Sequence, residues 1–216
     1  ASEGRAVSGA LARQRCTIAS GVAQGLDIEL TILLDGYDFA DFGCSNGSSM
    51  QFAQGHLGGG RGIGIDIDPV KVAKTRESGF EAVQADLSRT TDFAGSVRFT
   101  LCSHFLEHLR SLSLAEQCLD TALAISDDFV LVQQPWFDSD SALERLGMRL
   151  FWSHWRGHPN RMTREDFRAV LDRLGRRHRL ESVLIGARKP ITNSESPAVH
   201  SIASPIDQHE FDPAIH

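Results

Sequence analysis

Hydrophobic and polar positions change period repeatedly along this chain. Val7, Leu11 and Ile18 fall in helical steps and "LDIELTILL" can continue them, so residues 5 to 34 predict a helix. "YDFADFG" (37–43) alternates Tyr37, Phe39 and, less cleanly, Phe42, then ends in glycine, the pattern of a buried strand. Between 48 and 57, Met50, Phe52, Ala53 and Leu57 share one side of a short amphipathic helix. "GGGRG" (58–62) breaks that pattern, and "IGIDID" (63–68) predicts a second strand. Pro69 suits the first position of a helix running through Glu77. "EAVQAD" (81–86) and "VRFTLCS" (97–103) read as the third and fourth strands. A helix is expected from about Leu112 to Ile125, and "FVLVQQP" (129–135) reads as a fifth strand closed by proline.

Past Pro135 the rhythm is lost. Residues 136–160, rich in Trp, Phe, Arg and His, fit no simple strand. Thr163, with Asp166 three residues on, predicts the cap of a helix whose apolar face is Phe167, Val170, Leu171 and Leu174, ended by Gly175. Residues 178–189 and 198–204 read as two further strands, and 205–216 as a loose tail. Such alternation predicts an α/β, Rossmann-like, doubly wound and mostly parallel seven-stranded sheet with helices on both faces. Right-handed crossovers would gather the strand ends Gly43, Asp66, Asp86, Ser103 and Pro135 on one edge, where ligands collect. The expected organisation is a helical lid over 1–36, a main domain over 37–204 with an insert at 136–162, and the tail.

Composition narrows the setting. At 216 residues, 41% hydrophobic and 23% charged, the chain fits one ordinary globular domain. No apolar run approaches the roughly 18 residues that would span a bilayer. The first thirty residues carry Glu3, Arg5, Arg13, Arg15, Asp27 and Glu29 without an apolar stretch, so no signal peptide is visible. Cys16, Cys44, Cys102 and Cys118 are dispersed with no C-x-x-C pair, as expected of reduced thiols in a cytoplasmic protein. A net charge of −6 argues against wholesale nucleic-acid binding. From Glu144 to Arg179, however, ten arginines face four acids. A solvated helix face explains that excess; contact with an anionic acceptor or with RNA is the alternative.

"DFGCSNGSSMQFA" (41–53) concentrates glycines and short polar residues at one strand-to-helix junction. Gly43 and Gly47 would let a ligand approach the backbone, and the following helix offers amide donors. A nucleoside-triphosphate loop is excluded because no lysine follows Gly47. A dinucleotide fingerprint is poorly matched, since Ser45 and Ser48 stand where its second and third glycines belong. Taken in order, "DFGCSNG", "GIDIDP" and "QADL" resemble the class I S-adenosylmethionine-dependent methyltransferases. The resemblance is close over about 37–135 and extends to 204 through strand order alone.

It implies that Asp41, Gly43, Ser45 and Gly47 line the methionine portion of S-adenosylmethionine. Asp66 would take both ribose hydroxyls, Ile67 would press on the adenine, and Asp86 with Leu87 would read the adenine edge. Ser103 completes the set. Purely structural roles stand beside these: Asp66 or Asp68 as a helix cap, Asp86 as a turn residue, and Ser45 with Asn46 as turn formers.

"CSHFLEHL" (102–109) resembles the segment that follows the fourth strand in small-molecule members of that superfamily. Neutral histidine is the natural base near pH 7, and His104 and His108, four apart with Glu107 between them, would share a side of a helical start. His104, nearest the strand end, is the first choice. H-x-x-E-H also matches an inverted zincin, but that reading needs a long zinc helix, and here the motif follows directly on a strand. The segment further resembles the Glu-x-x-Glu-His cluster that holds a divalent ion in ubiquinone-pathway and small-RNA methyltransferases. His154 and His158 would complete it, but His104 replaces its first acid, so a divalent metal is not favoured.

In the insert, Trp136, His154, Trp155, Arg156 and His158 are candidates for the acceptor pocket, where aromatics exclude water and arginine holds an anionic group. An apolar cap with these residues at its rim is the alternative. The absence of N-P-P-[YF] after the fourth strand disfavours methylation of adenine or glutamine amines. The sequence therefore predicts an S-adenosylmethionine-dependent methyltransferase acting on a hydroxyl or amine of a small molecule, anionic where the arginine excess meets it, with no membrane partner and with nucleic acid disfavoured. The alternatives are an NAD-dependent oxidoreductase and a catalytically silent cofactor-binding protein.

Overall fold

Two short strands, buried on both faces, set the centre of the molecule. In Phe39–Phe42, Phe39 points to one face and Ala40 and Phe42 to the other; Phe99 and Cys102 repeat the alternation on the neighbouring strand. The protein is described by a computed structural model covering residues 31–89, 92–187 and 195–206. In chain order the elements are β1 (Thr31–Leu33), β2 (Phe39–Phe42), α1 (Ser48–His56), β3 (Gly62–Asp66), α2 (Pro69–Glu77), β4 (Glu81–Gln84) and β5 (Asp92–Ala94). There follow β6 (Val97–Ser103), α3 (Leu112–Ile125), β7 (Ser126–Gln133), α4 (Asp140–Arg145), β8 (Met148–Leu150), α5 (Arg164–His178) and β9 (Val199–Ser201).

Five strands pair in parallel in the order β4-β3-β2-β6-β7. The chain winds outward from β2 to β4, then returns to lay β6 on the other side of β2. The strand order thus reverses between β2 and β6, where a doubly wound sheet opens a crevice at its C-terminal edge. Met50 and Ala53 of α1 and Val72 of α2 cover one face, over Phe39, Phe99 and Leu101. Ala115, Cys118, Leu119, Ala122 and Ile125 of α3, with Val170 and Leu174 of α5, cover the other. Phe39, Phe99 and Phe129 stack across three adjacent strands with centroids 5.3 and 4.7 Å apart. No helix among the described residues is long and apolar enough to cross a membrane.

Several expectations need correction. The main sheet has five strands among the described residues, not seven. Residues 180–187 form no strand, and Val183 and Leu184 stand 50% and 98% exposed. Gly175 does not end its helix. Asp120 of α3 accepts from Arg177 and His178, which holds the last turn in place, and Arg179 takes the left-handed conformation (φ 54°) that stops it. The segment expected to start a strand at 178 is thereby spent on helix. Val199–Ser201 pairs antiparallel with Met148–Leu150 in a separate ribbon. Buried Arg149 anchors that ribbon by donating to the carbonyls of Ser204 and Pro205 at 2.8 and 3.1 Å, so the start of the expected tail is pinned.

The end of the expected N-terminal helix is also different. Thr31–Leu33 is a strand, paired in parallel with β5, because only Ile32 of the three is buried, as alternation requires. The rest of that helix, residues 5–30, and the tail from 207 lie outside the described residues. Strand β7 starts at Ser126, directly after α3, where the Ser126 hydroxyl bridges the Ala122 carbonyl and Thr100 at 2.7 Å each.

Candidate functional site

The junction after β2 is a tight turn laid against β3. Gly43 (φ 75°) and Gly47 (φ 85°) are left-handed, and so is Ser45 (φ 51°), a conformation non-glycine residues adopt at a cost of about 1–3 kcal/mol. A Cβ on Gly43 would lie 2.7 Å from the Phe105 ring, so the turn after β2 and the turn after β6 pack directly together at the switch point. The amides of Gly43 and Cys44 donate to the Ile65 carbonyl at 2.8 and 3.1 Å. The amide of Ser45 donates to Asp66 Oδ2 and that of Asp68 to Oδ1, each at 3.0 Å. Asp66 is therefore a turn organiser and not a helix cap; Asp68 caps α2 by accepting from the Val70 amide at 2.8 Å.

Asp41 lies under this turn, wholly buried. Its Oδ2 accepts from the Ser49 hydroxyl at 2.5 Å, and its Oδ1 has no hydrogen-bond partner among the described residues. Burial pushes its pKa up to about 7; the Ser49 hydrogen bond opposes that rise and the Asp66 charge adds to it. Along the same edge, Gln84 Nε2 donates to the Ile67 carbonyl at 3.1 Å and leaves the Ile67 side chain exposed. Asp86 Oδ1 accepts from the Ser88 amide and hydroxyl at 3.0 and 2.6 Å, a turn role. The Leu87 carbonyl accepts from Cys118 Sγ at 3.3 Å. Ser103 is half-buried, in register with Gln133.

His104 follows β6 with φ 52°, a second strained residue on the same edge. Its amide donates to the Gln133 carbonyl at 2.7 Å, which fixes the turn. Its ring is half exposed, with Nε2 3.2 Å from Gln133 Nε2 and Nδ1 3.3 Å from Glu107 Oε1, a pairing that raises its pKa. The expected helical start is a single 3-10 turn, Leu106–His108. The two histidines therefore differ: His104 faces solvent, whereas His108 is half-buried with Nδ1 2.8 Å from the Gly157 carbonyl.

The structure divides the insert residues. Trp155 and His158 reach the site: their rings lie 5.7 and 5.0 Å from that of His108 and 4.7 Å from each other. His154 does not, because it pairs with Glu144 at 3.1 Å within the insert. Trp136 is held by Ser139 at 2.7 Å and by the Arg164 guanidinium over its ring, and Arg156 is exposed. Most of the arginine excess is also neutralised. Arg161 pairs with Asp140, Arg164 with Asp138, Arg173 with Glu116 and Arg177 with Asp120, which favours the solvated-face explanation.

Three residues were beyond sequence reasoning. Asn160 ties the insert to the 3-10 turn, its Nδ2 donating to the Leu106 carbonyl at 3.0 Å and its amide to that of Glu107 at 3.2 Å. Gly157 supplies the carbonyl for His108 at a position where a Cβ would lie 2.2 Å from the Trp155 ring. Ser49 is legible only once α1 is placed over Asp41. No local pattern marks any of them.

No family model and no curated protein sequence matches this chain. Solved structures do. It is similar to a Haloferax volcanii complex of a methyltransferase activator with a provisionally named methyltransferase, at 15% identity and TM-score 0.52, over 65% of this chain and 61% of that one. A provisionally named methyltransferase from Bacillus halodurans C-125 aligns at 12% identity and TM-score 0.51, over 64% and 62%. A third, an S-adenosylmethionine-bound amino pentose methyltransferase from Micromonospora echinaspora, aligns at 16% identity and TM-score 0.42, over 49% of this chain and 45% of that one. This chain thus spans less than two thirds of the length of each. At these identities the first two establish the fold: the chain has the Rossmann-like fold of the class I methyltransferases.

Proposed function

We propose that this chain transfers a methyl group from S-adenosylmethionine to a hydroxyl, or less readily an amine, of a small molecule. The observation that carries this reading is the closure of the glycine turn onto Asp66 beside the orphaned Oδ1 of buried Asp41, at the point where strand order reverses. A phosphate site would not place two buried carboxylates there. A ligand bearing an ammonium group and a sugar diol matches both.

These residues fit S-adenosylmethionine, which when bound supplies an electrophilic methyl group on a sulfonium. Asp41 Oδ1 would accept from the ammonium, while Gly43, Ser45 and Gly47 keep the turn clear for the amino-acid tail. Each oxygen of Asp66 accepts one amide and keeps a lone pair, enough for two ribose hydroxyls. Exposed Ile67 would flank the adenine, with Asp86, Leu87 and Ser103 at its edge. His104, half exposed at the end of β6, would take the proton from an acceptor hydroxyl, a role its exposure supports. Trp155 would wall the acceptor side.

Thermal shift and calorimetry with S-adenosylhomocysteine, S-adenosylmethionine and NAD test the reading. The expected result is binding of the first two, no response to NAD, and loss of binding in Asp66→Ala. Release of S-adenosylhomocysteine across phenol, sugar and amine acceptors should then fall at least ~100-fold in His104→Ala with cofactor binding intact. A response to NAD alone overturns the assignment. Unchanged turnover in His104→Ala removes that residue from the chemistry.

A further inference from the structure

We infer that Glu107, His108 and His158 form a binding site for one divalent transition-metal cation, next to His104. The inference favours a metal that the sequence admits without favouring. It also changes the ligand set, since His158 and not His154 completes the cluster.

One ligand atom from each of the three residues lies within 4.8 Å of the others. An ion about 2.0–2.2 Å from each would need only a small closing movement. Proximity alone would not carry the assignment, but two independent features do.

The first is Glu107. It is fully buried, and neither carboxylate oxygen has a hydrogen-bond partner among the described residues. His104 Nδ1 stands 3.3 Å from Oε1 as an ion-pair contact, which leaves Oε2 without a hydrogen-bond or ion-pair partner among the described residues. A buried carboxylate with one long ion-pair contact and an orphaned second oxygen is costly, and an orphan of this kind points to an ion or water. Packing two histidines among aromatics would explain the rings and leave Oε2 unaccounted for.

The second is the orientation of both imidazoles. His108 Nδ1 lies 2.8 Å from the Gly157 carbonyl and His158 Nδ1 3.1 Å from the Trp152 carbonyl. A carbonyl can only accept, so Nδ1 carries the hydrogen in each ring and Nε2 carries the lone pair. Metal-ligating histidines are fixed in this way, with the second nitrogen donating to a backbone carbonyl. Both carbonyls come from the insert, which also supplies His158 and, through Asn160, grips the turn that carries Glu107 and His108. The insert therefore brings one ligand and sets the tautomers of two.

Two imidazole nitrogens and one carboxylate suit Zn²⁺, Fe²⁺, Co²⁺ or Ni²⁺ better than Mg²⁺ or Ca²⁺, which prefer all-oxygen shells. Three protein ligands leave coordination positions open, as at metals that act on a substrate oxygen. Only that last use rests on the methyl-transfer reading; the binding itself does not.

The test is calorimetric titration of the full chain, stripped with chelator, against Co²⁺, Zn²⁺, Mn²⁺ and Mg²⁺, with the visible absorption of the Co²⁺ form recorded in parallel. One equivalent of Co²⁺ or Zn²⁺ should bind, Mg²⁺ far more weakly. Glu107→Gln, an isosteric change that removes a buried charge without opening a cavity, should weaken Zn²⁺ binding at least ~100-fold, since even changes behind the ligands cost 10–100-fold. His158→Ala should do the same, and His154→Ala should leave affinity within about twofold. Failure of the wild-type chain to bind any of the four ions below ~1 mM overturns the site. So does undiminished binding in both Glu107→Gln and His158→Ala, or equal loss in His154→Ala. S-adenosylhomocysteine binding by the wild type and by Glu107→Gln is measured alongside. Its absence with metal binding intact sinks the cofactor reading alone, and its presence without metal binding sinks this site alone.

Discussion

The amide of Ser45 donates to the carboxylate of Asp66 across 3.0 Å, joining the turn after one strand to the end of the next. The same carboxylate receives the Asp68 amide, so one side chain holds the ends of β2 and β3 in a fixed relation. Asp66→Ala should cost about 1.5–3 kcal/mol, the range for hydrogen bonds to a charged group, read as a lower urea midpoint. S-adenosylhomocysteine affinity should fall at least ~100-fold by calorimetry, more than lost stability alone explains. Asp66→Asn, which keeps one acceptor oxygen, should fall between the two.

Two glycines separate site from scaffold. At Gly43 a methyl would meet the Phe105 ring at 2.7 Å in a left-handed backbone, so Gly43→Ala should cost about 1–2 kcal/mol and abolish cofactor binding in the protein that still folds. At Gly62 a methyl would lie 2.2 Å from Phe39 in the stacked aromatic row. Gly62→Ala should be the more destabilising, by thermal melting, while folded molecules bind cofactor normally.

Asp41 should make stability fall as pH rises. Its folded pKa, about 7, is above the ordinary value of 3.8, so the folded state holds an extra proton between them. The contribution is fully present below about 3.8 and is lost as pH climbs through about 7. Ser49 and Asp66 are its polar neighbours, and the buried thiols of Cys44 and Cys102 lie close enough to interact electrostatically. Asp41→Asn should therefore be more stable than the wild type at pH 8 by a few kcal/mol and nearly equal at pH 4, checked by urea unfolding at both.

Asn160→Ala removes the side-chain bond that clips the insert to the Leu106 carbonyl. The expected cost is about 1–2 kcal/mol, with weaker Zn²⁺ binding and unaltered S-adenosylhomocysteine binding, because the glycine turn is untouched.

Thr163→Ala tests a purely structural device. Thr163 and Asp166 form a reciprocal capping box at the start of α5. Its loss should cost about 1 kcal/mol by thermal unfolding and leave both ligands bound as before.

What the sequence determined by itself was whatever depends on near neighbours. Strand and helix periodicities placed β2, β3 and β6; Pro69 opened α2; Asp68 and Thr163 capped α2 and α5; and Leu112–Ile125 was read to its ends. Capping, turn formation and amphipathic spacing are local forces, legible within a few residues. The strand-end positions of Gly43, Asp66, Asp86 and His104 followed, because parallel crossovers leave little choice of edge.

Tertiary structure decided the rest. Nothing near Gly175 shows that Asp120, far back on α3, holds the next turn in helix and so withholds a strand. Nothing near Thr31 shows that β5 is its partner. Above all, the pairing of His108 with Gly157 and His158, and not with His154, depends on how a 27-residue insert packs across the sheet edge. Contacts between groups fifty residues apart are chosen by burial and hydrogen-bond satisfaction over the whole domain, which no local pattern encodes.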